Sequence, residues 1–238
     1  MLSIRQVLTS ISQKSFSSKK YTFENIIGHD DIKFIFNKAL QSEKPIHILL
    51  IGNPGWAKTM FLTEIMNILK QSYFTVGSNT SRAGLTNQLF ERRPKFLLID
   101  ELDKMNNSDQ TSLLHLMERG IISETKINKT RQMELHSWVF ATANNCGKII
   151  EPLISRFVVF EIREYTFEEF TEIAVSRLRE EHISKPIAIT IAEKVWRELG
   201  SKDFRDVIKI ARLVNSIQEI PLVVSKMSNC KPKTVNET

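Results

Sequence analysis

A chain of 238 residues with 42% hydrophobic and 25% charged residues is long enough for a sizeable core, and this ordinary globular composition excludes a disordered or fibrous polypeptide. A net charge of +6 permits a polyanionic partner without demanding one. Cys146 and Cys230 lack metal or redox spacing and the five histidines form no ligand cluster, so a reducing compartment is expected; no apolar run reaches membrane-spanning length.

The first 23 residues carry Arg5, Lys14, Lys19 and Lys20, six serines and no acid. The stretch suits an amphipathic helix with Ile4, Val7, Leu8 and Ile11 on one face, with an organelle transit segment as the alternative. Phe23 to Gly28 then leads into a helical pattern over Ile32, Phe34, Ile35, Phe36, Ala39 and Leu40. His47 to Ile51 is an apolar run stopped by Gly52, which predicts a buried strand. A helix follows from Thr59, with Phe61, Leu62, Ile65 and Leu69 on one face. Ser72 to Val76 predicts the next strand, Leu85 to Arg92 a helix, and Lys95 to Asp100 a second buried strand. Leu113, Leu114, Leu116 and Met117 mark a helix closed by Gly120. Ser137 to Thr142 and Phe157 to Ile162 complete the strands. This alternation argues for an α/β fold, a three-layer parallel sheet wrapped by helices.

After Arg163 the pattern turns helical. Thr166-x-x-Glu169 and Thr190-x-x-Glu193 are capping-box sequences, and a third helix carries Phe204, Val207, Ile208, Ala211 and Val214. The expected organisation is an N-terminal extension over 1–22, an α/β core over 23–164, a separate all-helical lid over 165–218 and a fraying polar tail over 219–238.

Gly52-Asn53-Pro54-Gly55-Trp56-Ala57-Lys58-Thr59 sits between a buried strand and a helix start, the context a phosphate loop requires. Small residues let backbone N–H groups curl around phosphates. The helix N-terminus adds a favourable dipole, Lys58 a positive charge, and Thr59 a hydroxyl able to ligate Mg²⁺. The usual last glycine of such a loop is replaced by Ala57. Downstream, the strand Phe96-Leu-Leu-Ile-Asp100-Glu101 delivers two acids at its C-terminal edge, where open α/β sheets bind ligands. Asp100 suits a Mg²⁺ held through water, and Glu101 suits a general base for the attacking water. ATP and Mg²⁺ are the cofactors this pattern calls for.

At this point the chain resembles the AAA+ ATPases. Ala-Thr-Ala143-Asn144-Asn145 is similar to the sensor-1 motif, which implies that Asn144 orients the water. Glu151-Pro-Leu-Ile-Ser-Arg156-Phe157 resembles the arginine-finger segment of clamp loaders and replicative helicases, which implies that Arg156 reaches a neighbouring subunit's site. Arg205 in DFRDVIKIARL resembles the sensor-2 arginine of the lid. The Pro-Gly-x-Ala-Lys loop, Ser81-Arg-Ala-Gly84 and Met117-Glu-Arg-Gly120 are similar to minichromosome-maintenance helicases and to magnesium-chelatase/MoxR ATPases.

Ile121 to His136 fits a β-hairpin with Lys126, Lys129 and Arg131 as its cations, in the place of the pre-sensor-1 hairpin of those helicases and of the bacterial branch-migration motor. The resemblance implies a homo-oligomer, a hexameric ring whose hairpins line a channel and grip nucleic-acid phosphates. With 238 residues the chain reads as a bare motor module, without the DNA-binding domain or winged helix of those helicases. Two clients therefore compete: DNA, for a helicase-like motor, and a protein, for a remodelling ATPase of the chelatase/MoxR kind. A non-hydrolytic nucleotide switch is disfavoured by Glu101 and Arg156. No membrane partner is expected. The expected place is the cytoplasm, with nucleoid association or organelle import as alternatives.

Overall fold

The computed structural model describes residues 21–55, 57–126 and 129–230, without the side chains of Thr125, Lys126, Lys129 and Cys230. Expectations for residues 1–20, for Trp56, for the hairpin turn at 127–128, for the Lys126 and Lys129 side chains and for 231–238 lie outside the described residues.

The strands are β1 (His47–Ile51), β2 (Ser72–Val76), β3 (Phe96–Asp100), β4 (Ile121–Lys126), β5 (Lys129–Glu134), β6 (Trp138–Ala143) and β7 (Phe157–Glu161). Five of them form one parallel sheet in the order β2-β3-β6-β1-β7, while β4 and β5 pair as an antiparallel hairpin. Side chains alternate across a strand, so each run of apolar residues fills two cores at once. Ile48, Leu50, Leu98 and Phe140 point into one core; Leu49, Leu97, Ile99, Val139 and Ala141 point into the other. All nine are fully buried. That is why the central strands read as unbroken apolar runs.

The helices of the core are α1 (Asp30–Leu40), α2 (Lys58–Ile68), α3 (Arg82–Arg92), α4 (Asn107–Arg119) and the single turn α5 (Glu151–Ile154). Phe36 of α1 stacks on Phe61 of α2 at 5.4 Å and meets Phe140 of β6 edge-on at 5.2 Å. The Trp138 indole N–H donates to the Ala39 carbonyl at 2.9 Å, fastening the end of α1 to the sheet. Leu85, Leu89, Leu113 and Leu116 bring α3 and α4 onto the other face. Truncating a ring such as Phe61 to alanine costs ~3–5 kcal/mol, because the well-packed site cannot collapse.

The helical part comprises α6 (Phe167–Glu180), α7 (Lys185–Arg197), α8 (Phe204–Leu213) and α9 (Ile220–Cys230). The first capping box forms: the Thr166 hydroxyl accepts from the Glu169 N–H at 3.2 Å, and Glu169 Oε2 accepts from the Thr166 N–H at 2.9 Å. The second does not. Thr190 lies mid-helix, its hydroxyl donating to the Pro186 carbonyl at 2.9 Å, because Ser184-Lys185-Pro186 starts α7 earlier. The fraying tail is also corrected over 220–230, which form α9. Ile220 and Val224, one turn apart, are buried and dock that helix onto the core, ahead of the polar residues that follow. The fully buried Phe170, Ala192 and Val207 belong to the same continuous core as Phe61 and Phe140, so the lid's interior runs into one face of the sheet. Among the described residues no helix is long and apolar enough to cross a membrane.

Candidate functional site

The parallel sheet aims the C-terminal ends of β1 and β3 at one edge, with β6 between them. β1 runs into the loop from Gly52, which turns into α2 at Lys58. The N-terminus of α2 has no side-chain cap and no acid in its first turn, so its N–H groups face no competing anion of their own helix. Lys58 is buried at 5% exposure, and its ammonium donates to the Gly52 and Asn53 carbonyls at 2.7 Å each. Burial pulls the Lys58 pKa below its ordinary value; Asp100, Asp103 and Glu101 oppose that shift and Arg205 reinforces it.

β3 ends at Asp100, whose carboxylate accepts from the Thr59 hydroxyl at 3.2 and 3.1 Å. The Thr142 hydroxyl, at the end of β6, also donates to Asp100 and accepts from the Glu101 N–H at 3.0 Å. One hydroxyl thus fixes both members of the acid pair. Glu101 has left-handed backbone with φ 54°. It can be held so because Gly77 offers no side chain; a Cβ there would lie 2.2 Å from the Glu101 carbonyl oxygen. Asp103, buried at 3% exposure, accepts from the Asn144 N–H at 3.2 Å and sets the turn after β6.

A cavity of about 120 Å³ joins these pieces. Pro54, Gly55, Lys58 and Thr59 of the loop, Asp100 and Glu101, Asn144 after β6 and Arg205 of α8 all line it. The donor set fits the groups expected there. The Thr59 hydroxyl and the Asp100 carboxylate are hard oxygen ligands side by side, the kind Mg²⁺ takes when waters and phosphates supply the rest. Among the described residues no cluster of three or more His, Cys, Asp or Glu residues forms a metal cage.

Arg156 is not among the residues lining this cavity. It sits exposed after α5, with Nη2 3.1 Å from Glu118 Oε1 and Nη1 donating to the Ser155 hydroxyl at 2.9 Å. In the hairpin register Glu124 pairs with Arg131 and Lys126 with Lys129. Arg131 departs from the expected arrangement. Its guanidinium pairs with Glu124 at 2.6 Å, donates to Asn87 and lies 4.2 Å from the centre of the Phe90 ring. It fastens the hairpin to α3, so this cation is already engaged within the chain.

Sequence reasoning missed Thr142, Asp103 and Gly77. A hydroxyl at the end of the otherwise apolar strand VFATA was a signal for Thr142, since a buried hydroxyl needs a partner.

The sequence profile of the ATPase family associated with various cellular activities (AAA) matches residues 48–165. The DNA replication licensing factor mcm2 of Xenopus laevis is 28% identical over 195 residues, covering 64% of this chain and 22% of the relative. Its Drosophila melanogaster counterpart is 30% identical over 186 residues, covering 60% and 21%. The chain thus spans about a fifth of the length of the curated relatives it matches. Among solved structures, the Holliday junction branch migration motor RuvB of Thermotoga maritima superposes with a TM-score of 0.63 at 21% identity, covering 84% of this chain and 70% of that one. A variant of the same RuvB gives 0.67 at 20% identity, covering 88% and 73%. The family's profile covers the loop, the acid pair, Asn144 and Arg156 in one stretch, and residues 48–165 form an AAA ATPase domain, similar in sequence to DNA replication licensing factors and in fold to RuvB.

Proposed function

We propose that the chain binds and hydrolyses ATP with Mg²⁺ in an oligomeric ring, hexameric by resemblance, and serves as a DNA-associated motor. The observation that carries the reading is the single cavity in which the phosphate loop, Asp100, Glu101, Asn144 and Arg205 meet. Lys58, the loop amides and the start of α2 would hold the phosphates. Thr59 and Asp100 would hold the cation, which supplies charge neutralisation between the phosphates when bound. Glu101 takes the proton of the attacking water, Asn144 orients that water, and Arg156 completes the site of a neighbouring subunit. The surface position of Arg156, outside its own chain's cavity, supports this sharing.

Two variants test the chemistry. Lys58→Ala should abolish ATP binding, whereas Glu101→Gln should bind ATP normally and hydrolyse it ~10²–10⁴-fold more slowly. Single-turnover hydrolysis after a binding measurement separates the two. Wild-type turnover by Glu101→Gln would remove the base assignment. The names of the licensing-factor relatives support DNA as the client. The tethering of Arg131 leaves fewer hairpin cations for phosphates and favours the second reading, a protein-remodelling ATPase. Stimulation of ATP turnover by DNA, and not by unfolded protein, decides for the first.

A further inference from the structure

Arg205 is the lid's contribution to the phosphate cavity, and a residue two places before it governs where it stands. Asp203 is the N-cap of α8, accepting from the Arg205 N–H at 2.9 Å through Oδ1. The same carboxylate takes the Arg205 side chain: Nε lies 3.0 Å from Oδ1 and 2.9 Å from Oδ2, and Nη2 lies 2.7 Å from Oδ2. Only the Nε–Nη2 edge of the guanidinium is used; Nη1 has no hydrogen bond among the described residues. The carboxylate is also wedged against the phosphate loop. Gly55 has φ +87°, and a Cβ there would lie 2.8 Å from both Cγ and Oδ1 of Asp203 and 3.2 Å from its Cα. No side chain fits between loop and carboxylate. Asp203 is the more enclosed partner, at 29% side-chain exposure against 63% for Arg205.

We propose that Asp203 is a positioning residue for Arg205: it grips the guanidinium along one edge, against Gly55, and leaves the Nη1 end for the terminal phosphate of a nucleoside triphosphate. The proposal rests on the reading of this cavity as the nucleotide site. Arginine is rich in rotamers, and a fork held in place before contact loses less freedom on meeting phosphate. A diphosphate lacks the group that the held end addresses, so Asp203 sets the preference for tri- over diphosphate through Arg205.

The cap and the grip can be separated. Serine caps a helix as well as aspartate does but cannot hold a guanidinium by two oxygens, so Asp203→Ser keeps α8 and releases Arg205. Affinities for a non-hydrolysable ATP analogue and for ADP would be measured by calorimetry on the full chain, for wild type, Asp203→Ser, Asp203→Asn, Arg205→Ala and the Asp203→Ser/Arg205→Ala double variant. Expected is a fall of about tenfold in the ratio of triphosphate to diphosphate affinity for Asp203→Ser, the scale of one charge-assisted hydrogen bond. Asp203→Asn, the same shape without the charge, should lie between, and it stands in if the serine variant folds poorly. In the Arg205→Ala background Asp203→Ser should change the ratio no further. An unchanged or raised ratio in Asp203→Ser overturns the proposal, the raised one showing the carboxylate to be a competitor of the phosphates. A fall that persists without Arg205 also overturns it, since Asp203 would then act on its own. Failure of the wild type to bind either nucleotide overturns the nucleotide reading, and the proposal with it.

Discussion

The phosphate-loop edge and the Arg156–hairpin side of the molecule are built on opposite rules. At the loop, buried groups are locked by close partners: Lys58 by two carbonyls of its own loop, Asp100 by the buried Thr142, the Asn144 backbone by the buried Asp103. Arg156 is instead held by Glu118, both half-exposed at 40% and 42%, in a pair of the kind that contributes ~0–1 kcal/mol in water. Lys58, Asp100 and the Asn144 turn are fixed by the fold. A group proposed to act outside the chain is parked by a contact that assembly can exchange.

The largest expected effect breaks that comparison directly. If Arg156 serves a neighbour, Arg156→Ala should lower ATP turnover ~10³–10⁵-fold while leaving nucleotide affinity of the isolated chain unchanged. Mixing Arg156→Ala with Lys58→Ala chains, each inactive alone, should restore some turnover, because some interfaces then pair an intact loop with an intact finger. No recovery from a mixture shown to co-assemble would put Arg156 back among ordinary surface charges.

Next in size comes the hairpin. If Lys126 and Lys129 meet phosphates, the double variant Lys126→Ala/Lys129→Ala should weaken DNA binding at all sequences and lower the slope of log affinity against log salt by about two, one per contact. Arg131→Ala should act differently, loosening the hairpin from α3 and lowering the melting temperature. An Arg131→Ala variant that changed only the salt slope would restore it to the gripping set.

The smallest effect concerns the scaffold beneath both regions. His47 is buried, its Nδ1 accepting from the Val139 N–H at 3.1 Å, and burial lowers its pKa from 6.5 to about 4. The neutral ring is the folded form, so its stabilising contribution is complete above pH 6.5 and is lost as pH falls from 6.5 towards 4. Over that window unfolding takes up one extra proton, a slope of ~1.4 kcal/mol per pH unit at most. Denaturant titrations of wild type and His47→Asn across pH 7 to 4 would show a shallower slope in the second, the remainder coming from groups such as the buried His29.

The parts of the site that were legible in the sequence are those written contiguously. The strand, loop and helix start from His47 to Thr59 carry their chemistry in one stretch, and the acid pair follows directly on an apolar strand. What was hidden depends on distance along the chain. Thr142 meets Asp100 across 42 positions, and Arg131 meets Asn87 across 44. Arg131 could be counted as a cation from sequence, but not as one already engaged. Thr190-x-x-Glu193 shows the reverse error: a local pattern matched a helix start, yet Ser184 and Pro186 had begun the helix a turn and a half earlier.

The unbroken core from Phe140 through Phe61 to Phe170 and Val207 bears on how the molecule comes apart. A lid with its own interior could melt or be clipped away and leave a folded remainder. Here the apolar surface that buries Phe61 continues beneath Tyr165 and Phe170, so stripping the helices after Glu164 would uncover one side of the sheet's packing. Heating should therefore give one cooperative transition, and protease digestion should cut at exposed turns or destroy the whole, without leaving a stable strand-and-helix fragment.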